Sequence, residues 1–312
     1  MKPFVTAFLI LSACAFAQNT HRVRTLRIEV LSTMLADDEG IGEWGFAALV
    51  EADGHRYLFD TGAHPDTVLT NARAMGVDLA GVQDVILSHN HGDHTGGLVT
   101  LRRANLGALG RVHAGKGILL DRRRKSGGAA DFVVKALREY EGLGGRVTEY
   151  DHPMELAPGL WLTGPVPRKY PEHNWNPGVE VKLGEHWVED NIPEDMSLVA
   201  DTDQGLVVLA GCGHAGIANT LEYARSTVRA APVHALLGGF HLYQLDDEKL
   251  AWTAGKLREA GVQNLLGAHC TGIEAVYRIR QLNGMTRQTC AVGAVGAVFE
   301  LGKGMRPGNI AH

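Results

Sequence analysis

Short stretches of alternating apolar and polar residues, separated by glycine-bearing turns, run along this chain with longer helical patterns between them. Leu26, Ile28 and Val30 alternate with polar neighbours, which is the period of a half-buried strand. Phe46 to Glu51 and Tyr57 to Phe59 flank Asp53-Gly54, a pair suited to a hairpin turn. Asp66 to Met75 carries a helical pattern behind Pro65 and stops at Gly76, a residue that accepts the left-handed backbone of a helix end. Val85-Ile86-Leu87 reads as a buried strand, Phe132 to Tyr140 as a helix and Leu160 to Thr163 as extended chain. Ser197 to Ala200 and Leu206 to Ala210 predict a second hairpin across Asp203-Gln204-Gly205. Helical patterns at Ile217 to Val228, Glu248 to Ala260 and Ile273 to Leu282 then alternate with apolar runs at Ala235 to Leu237 and Leu265 to Leu266. Two β-rich halves with helices between them predict an α/β (α+β) fold, a four-layer αββα sandwich. One domain over residues 18–312 is expected. A loop-rich insertion over about 121–180, rich in Pro and Gly, suits a lid.

Composition narrows the class of partner. The 312 residues are 45% hydrophobic and 21% charged, as in soluble globular proteins, and the formal net charge is −5. No basic stripe offsets that balance, which argues against nucleic acid and for a small-molecule substrate. Residues 1–17 differ from the rest: Met1 and Lys2 precede the apolar run Phe4 to Ala13, and Ala15-Phe16-Ala17 puts small residues where a signal peptidase reads. The pattern predicts an export signal and a periplasmic or secreted enzyme. Its apolar run is too short for a permanent membrane span. Leu11-Ser12-Ala13-Cys14 offers a lipobox as the alternative, with Cys14 lipidated and the protein tethered to a membrane. Cleavage after Ala17 leaves Cys212, Cys270 and Cys290, an odd number that builds no disulfide framework.

The chemistry concentrates in Ser88-His89-Asn90-His91-Gly92-Asp93-His94, directly after the Val85 to Leu87 strand. Four metal-binding side chains on six residues exceed what a solvated turn collects. Imidazole and carboxylate suit zinc and its first-row relatives, with manganese or iron as alternatives to zinc. The spacing predicts two divalent ions: His89 and His91 on one, Asp93 and His94 turned toward a second roughly 3.5 to 4 Å away. Three further histidines, His214, His241 and His269, each follow an apolar run and one or more small residues. That repeated context predicts several strand ends meeting at one cleft.

Taken together, these features resemble the metallo-β-lactamase-fold hydrolases, from Gly45 through Phe59-Asp60-Thr61-Gly62 and the histidine cluster to His269. The resemblance implies that Asp60 is a buried acid that hydrogen-bonds the ligand imidazoles. Gly211-Cys212-Gly213-His214, Gly238-Gly239-Phe240-His241-Leu242 and His269-Cys270-Thr271-Gly272 are similar to a narrower subfamily of metal-dependent hydrolases, likened to an archaeal synthase that condenses a dihydropterin with ribofuranosyl-aminobenzene phosphate and releases pyrophosphate. Where many members of the superfamily carry a mid-chain Gly-His-Thr-Pro-Gly segment, this chain has Thr163-Gly164-Pro165-Val166-Pro167-Arg168, which the subfamily shares. The resemblance therefore implies His214 as the third ligand of the first ion, Cys212 in the place of the bridging aspartate, and His269 as the last ligand of the second. His241 is placed beside the metals as a proton donor or substrate contact, and Asp93 as a group that orients the attacking water.

The expected activity is hydrolysis of a small anionic ester or phosphoester. Arg168, between prolines, is the expected anion clamp, and Arg122 to Lys125 are either further clamps or a solvated turn. A β-lactam or lactone hydrolase, a pterin-condensing transferase and a non-catalytic metal-binding sensor are the alternatives.

Overall fold

The computed structural model describes residues 21–38, 40–105 and 107–311, so the expected leader and Cys14 lie outside the described residues. In chain order the first half holds β1 (Leu26–Ser32), β2 (Ala47–Ala52), β3 (His55–Phe59), α1 (Thr67–Ala74), β4 (Asp84–Leu87), α2 (Gly92–Thr95), α3 (Leu98–Ala104), β5 (Arg111–Gly115), β6 (Arg122–Arg124), α4 (Phe132–Gly142) and β7 (Arg146–Tyr150). The second half holds β8 (Met154–Ala157), β9 (Leu160–Leu162), β10 (Val179–Leu183), β11 (His186–Glu189), β12 (Ser197–Thr202), β13 (Gly205–Ala210), α5 (Ile217–Thr227), β14 (Val233–Gly238), α6 (Asp247–Glu259), β15 (Asn264–Gly267), α7 (Ile273–Leu282), β16 (Cys290–Val292), β17 (Val298–Glu300) and β18 (Gly304–Arg306).

Two large sheets carry the fold. One runs β18-β17-β1-β2-β3-β4-β5-β7, the other β16-β15-β14-β13-β12-β9-β8. Strand alternation sends Ile28, Val30, Val50, Phe59 and Ile86 from the first sheet against Leu162, Leu198, Leu209, Leu237 and Leu266 from the second, all buried in one shared core. The opposite faces are covered by helices. Leu49, Leu58, Val85 and Val112 meet Val68 of α1, Leu101 of α3 and Leu137 of α4. Val208, Leu236 and Leu265 meet Leu221 of α5, Leu257 of α6 and Ile279 of α7. The result is the four-layer αββα sandwich.

The 121–180 segment departs from the expected loop-rich insertion. Besides the expected helix, now α4, it holds β7, which pairs in parallel with β5, and β8 and β9, which join the second sheet. Only β6, with β10 and β11, forms a separate three-stranded sheet. The Pro and Gly residues there punctuate short elements. Their density hid β6, β7 and β8, strands of three to five residues, while β9 falls where extended chain was expected.

The topology aims the chemistry. β3, β4 and β5 are mutually parallel, as are β13, β14 and β15, so in each sheet their carboxyl ends share one edge. Asp60, the His89 segment, Cys212, His241 and His269 all follow those ends.

Candidate metal centre

Two groups of ligand atoms meet between the sheets. His89, His91 and His214 form one group, and Asp93, His94, Cys212 and His269 the other, with one ligand atom per residue and all atoms of a group within 4.8 Å of each other. Cys212 also groups with His214 and His241 on the same scale, so its sulfur lies between the two sets. His89 Nε2 is 2.9 Å from His91 Nδ1, and His94 Nε2 is 3.1 Å from Cys212 Sγ. His269 Nε2 comes within 3.2 Å of Asp93 Oδ2, outside hydrogen-bond geometry. The imidazole of His241 packs 4.7 Å from that of His214, centroid to centroid, and its Nδ1 is buried without a partner.

The hydrogen bonds behind His89, His94 and His214 fix a proton on Nδ1 of each ring. Asp60 Oδ1 accepts the Ser88 N–H at 2.8 Å, and Oδ2 accepts both the Ser88 hydroxyl and His94 Nδ1 at 2.7 Å. A carboxylate only accepts, so His94 holds a proton on Nδ1 and turns Nε2 toward Cys212 and Asp93. Ser88 spends its hydrogen on Asp60, so its oxygen accepts from His89 Nδ1 at 2.9 Å. That leaves His89 Nε2 as a lone pair facing His91. One acid thus sets a ring in each group, directly for His94 and through Ser88 for His89. His214 is set separately: its Nδ1 donates to the Asn174 carbonyl, and Nε2 is buried with no partner.

These features fit divalent cations. Buried imidazole nitrogens without partners cost free energy unless something outside the polypeptide accepts them, and His214 Nε2 and both His269 nitrogens are such atoms. Burial and the neighbouring imidazoles hold His89 and His214 far below the usual histidine range, and burial brings His91 to about 4, so these rings are neutral. Burial opposes ionisation of Asp93, but His94 and His269 outweigh it and keep the carboxylate charged. Burial also favours a neutral His94, yet Asp60 and Asp93 lift it to about 9, so without a cation the ring keeps a second proton on Nε2, which a bound ion would displace. Imidazoles, a carboxylate and a thiol at this spacing are the donors that first-row ions such as zinc select.

The backbone is shaped for the same purpose. Asp60, His241 and His269 have φ of 56°, 51° and 47°, a left-handed conformation that non-glycine residues rarely adopt. At Gly211 a side chain would collide with Ser88 Oγ and Asp60 Oδ2, which is why glycine precedes Cys212.

The arginines are placed otherwise than expected. Arg168 Nη2 donates to the Asn191 and Ile192 carbonyls, and the guanidinium sits over the Trp175 ring, 5.6 Å from its centroid. Those bonds hold the 191–192 turn, and Arg168 belongs to neither ligand group. Arg122 is neither a solvated turn nor a free clamp. It is buried, with Nε on Asp190 Oδ2 at 2.7 Å and Nη2 on Glu194 Oε2 at 2.6 Å, and Glu194 Oε1 accepts the Asn90 N–H inside the histidine loop. Sequence reasoning missed Glu194, Asn174 and Ser88. Ser88 alone carried a local signal, since it stands between the strand and the first histidine.

The family model of the metallo-beta-lactamase superfamily matches residues 45–228. The chain belongs to the metallo-beta-lactamase superfamily. Within it, the chain is 29% identical over 243 residues to the 7,8-dihydropterin-6-methyl-4-(beta-D-ribofuranosyl)-aminobenzene-5'-phosphate synthase of Methanocaldococcus jannaschii, covering 74% of this chain and 82% of the synthase. It is also 29% identical over 256 residues to an uncharacterized protein of the same organism, covering 82% of this chain and 94% of that one. Among solved structures it is similar to Tm1679, a metal-dependent hydrolase of the beta-lactamase superfamily, with a TM-score of 0.72, 28% identity, and coverage of 88% of this chain and 98% of Tm1679.

Proposed function

We propose that this superfamily member is an exported metal-dependent hydrolase that holds two divalent cations, zinc being the first choice, and acts on a small anionic ester or phosphoester. The observation that carries the proposal is the pair of ligand groups, His89, His91 and His214 beside Asp93, His94, Cys212 and His269, with Cys212 between them. Cations there would polarise the attacked oxygen and make water acidic enough to attack at neutral pH. The chain's own groups do the rest. Asp93, ionised and partly open to solvent, orients a water by accepting its hydrogen. His241, half-buried with Nδ1 unpartnered, faces the gap between the two groups and is placed to protonate a leaving oxygen. Similarity to Tm1679 supports hydrolysis. The leader-like residues 1–17 support export.

A pterin-condensing transferase is the second reading, favoured by 29% identity over most of the chain to the archaeal synthase. The two are separated by one assay series. Metal-depleted protein is reloaded with zinc, manganese or iron and offered a phosphomonoester, a phosphodiester, a lactone, nitrocefin, and a dihydropterin diphosphate with and without ribofuranosyl-aminobenzene phosphate. Metal-dependent phosphoester cleavage is expected, with nitrocefin untouched. Pyrophosphate release that requires the second substrate would move the assignment to the transferase, and no turnover with metals bound would overturn both. Export is checked by N-terminal sequencing of fractionated cells, where the mature chain should begin at Gln18.

A further inference from the structure

Three aromatic rings stand around the metal cleft with much of their surface in water, although nothing in the ligand chemistry uses them. Trp44 is 47% exposed, Tyr243 43% and Phe132 59%. Trp44 and Tyr243 link His269 of one ligand group to His241, which packs on His214 of the other. The His269 ring is 5.0 Å from Trp44, Trp44 is 5.4 Å from Tyr243, and Tyr243 is 5.4 Å from His241. Phe132, at the start of α4, lies across Gly92, the residue between His91 and Asp93.

The two rings of the wall are held in place. Glu43, next to Trp44, is buried and accepts the Ser32 hydroxyl at 2.6 Å and the Ala63 and His64 N–H groups at 2.9 Å. Phe46 N–H donates to the carbonyl of Asp93, itself a ligand residue. On the other side Leu242 and Tyr243 both donate their N–H to the Cys270 carbonyl. A side chain at Gly272 would strike Tyr243 Cβ at 2.7 Å, so the two segments are in direct contact. Exposed aromatic surface on rigid backbone is what a preorganised binding wall requires, because little ordering entropy remains to be lost when a ligand arrives.

The planes of Trp44 and Tyr243 meet at 72°. Two rings at that angle form a corner that takes a third flat ring face-on against one and edge-on against the other, the two arrangements aromatic quadrupoles favour. We infer that Trp44 and Tyr243 form a binding corner for a flat, unsaturated ring on the substrate, beside the ester or phosphoester group held at the cations. In the placement of the anionic group, the inference rests on the function proposed above.

Inert ligands test the corner without turnover. Phenylphosphonate and cyclohexylphosphonate carry the same anionic group, and only the first has a flat ring. Calorimetric titration of the metal-loaded full chain should show phenylphosphonate bound about tenfold more tightly. Trp44→Ala and Tyr243→Ala should each erase most of that preference, with metal content and the cyclohexylphosphonate affinity unchanged, and Trp44→Phe should retain it. Equal affinities in the wild type, or a preference that survives both alanine variants, overturns the corner and leaves the proposed hydrolase standing. Failure of the metal-loaded protein to bind either phosphonate removes the anionic-substrate assignment and the corner with it.

Discussion

Replacing Asp60 with asparagine changes one oxygen for an NH2 and should weaken metal binding at both ligand groups. In the wild type the carboxylate accepts three hydrogen bonds, from the Ser88 N–H, the Ser88 hydroxyl and His94 Nδ1. Asparagine satisfies this set in neither orientation. With its oxygen on the Ser88 N–H, its NH2 faces the Ser88 hydroxyl and His94 Nδ1. Both must then become acceptors, and the protons of His89 and His94 move to the Nε2 atoms that face the ligand groups. Metal binding requires those lone pairs, so the amide must flip and set its NH2 against the Ser88 N–H. That leaves buried donors without an acceptor, at about 1–3 kcal/mol, or roughly 5- to 150-fold in overall metal affinity. Loss of a partner behind a ligand histidine typically costs 10- to 100-fold, a range within these bounds. Competition titration with a chromophoric zinc chelator measures the loss, and cobalt spectra resolve the two groups. Ser88→Ala provides the control, because His89 is the ligand ring its hydroxyl bonds while the Asp60 bond to His94 Nδ1 is kept, so it should weaken only the group of His89, His91 and His214. If Asp60→Asn leaves both affinities within threefold of the wild type, the tautomer reasoning is wrong. If only the Asp93, His94, Cys212 and His269 group weakens, the relay through Ser88 is wrong.

Other consequences are equally direct. His214→Ala and His269→Ala should each lower bound metal by about one ion per chain, because each removes a ligand from one group alone; elemental analysis after dialysis reads this, and unchanged content in both variants would refute the grouping. Arg122→Ala leaves Asp190 and Glu194 buried without their cation and should cost about 3–5 kcal/mol in urea unfolding. A loss under 1 kcal/mol would mean that water replaces the guanidinium. Burial pushes the Asp195 carboxyl up to about 7 from 3.8, and one of its oxygens has no partner. The folded state therefore binds the extra proton between those values. The stability it contributes is present below about pH 4 and lost as pH rises through 7, by up to about 4 kcal/mol. Asp195→Asn should flatten that part of the stability curve of the metal-free protein, and parallel curves for the two proteins would contradict it.

Most of the fold was legible because its core strands obey period-two alternation and its outer helices carry one apolar face. Ile28 and Val30 point into the shared core while Leu49 and Leu58 face the helices, and both sets are apolar because both faces of the sheet are covered. What escaped were α3, the short strands β5, β7, β8 and β16 to β18, and the separate sheet of β6, β10 and β11, whose positions carry Arg123, Glu180 and Lys182. β6 is Arg122-Arg123-Arg124 with no apolar position to read, whereas Val179, Val181 and Leu183 of β10 do alternate with Glu180 and Lys182 but sit among Pro- and Gly-rich turns. The metal-ligand candidates were legible for a different reason: donor side chains are chemically rare, and four fall within His89 to His94. The groups that orient them were not. Asn174 acts through its backbone carbonyl, which any residue type supplies, so no sequence pattern betrays it. Glu194 reaches the histidine loop across 104 positions, a separation that only the folding of the second sheet against the first can close. Ligand identity is thus written locally, and ligand orientation depends on distant packing. For that reason Asp60, whose Phe-Asp-Thr-Gly context made it readable, and Glu194, which had none, are built alike: each is a buried carboxylate that accepts from the 88–90 backbone.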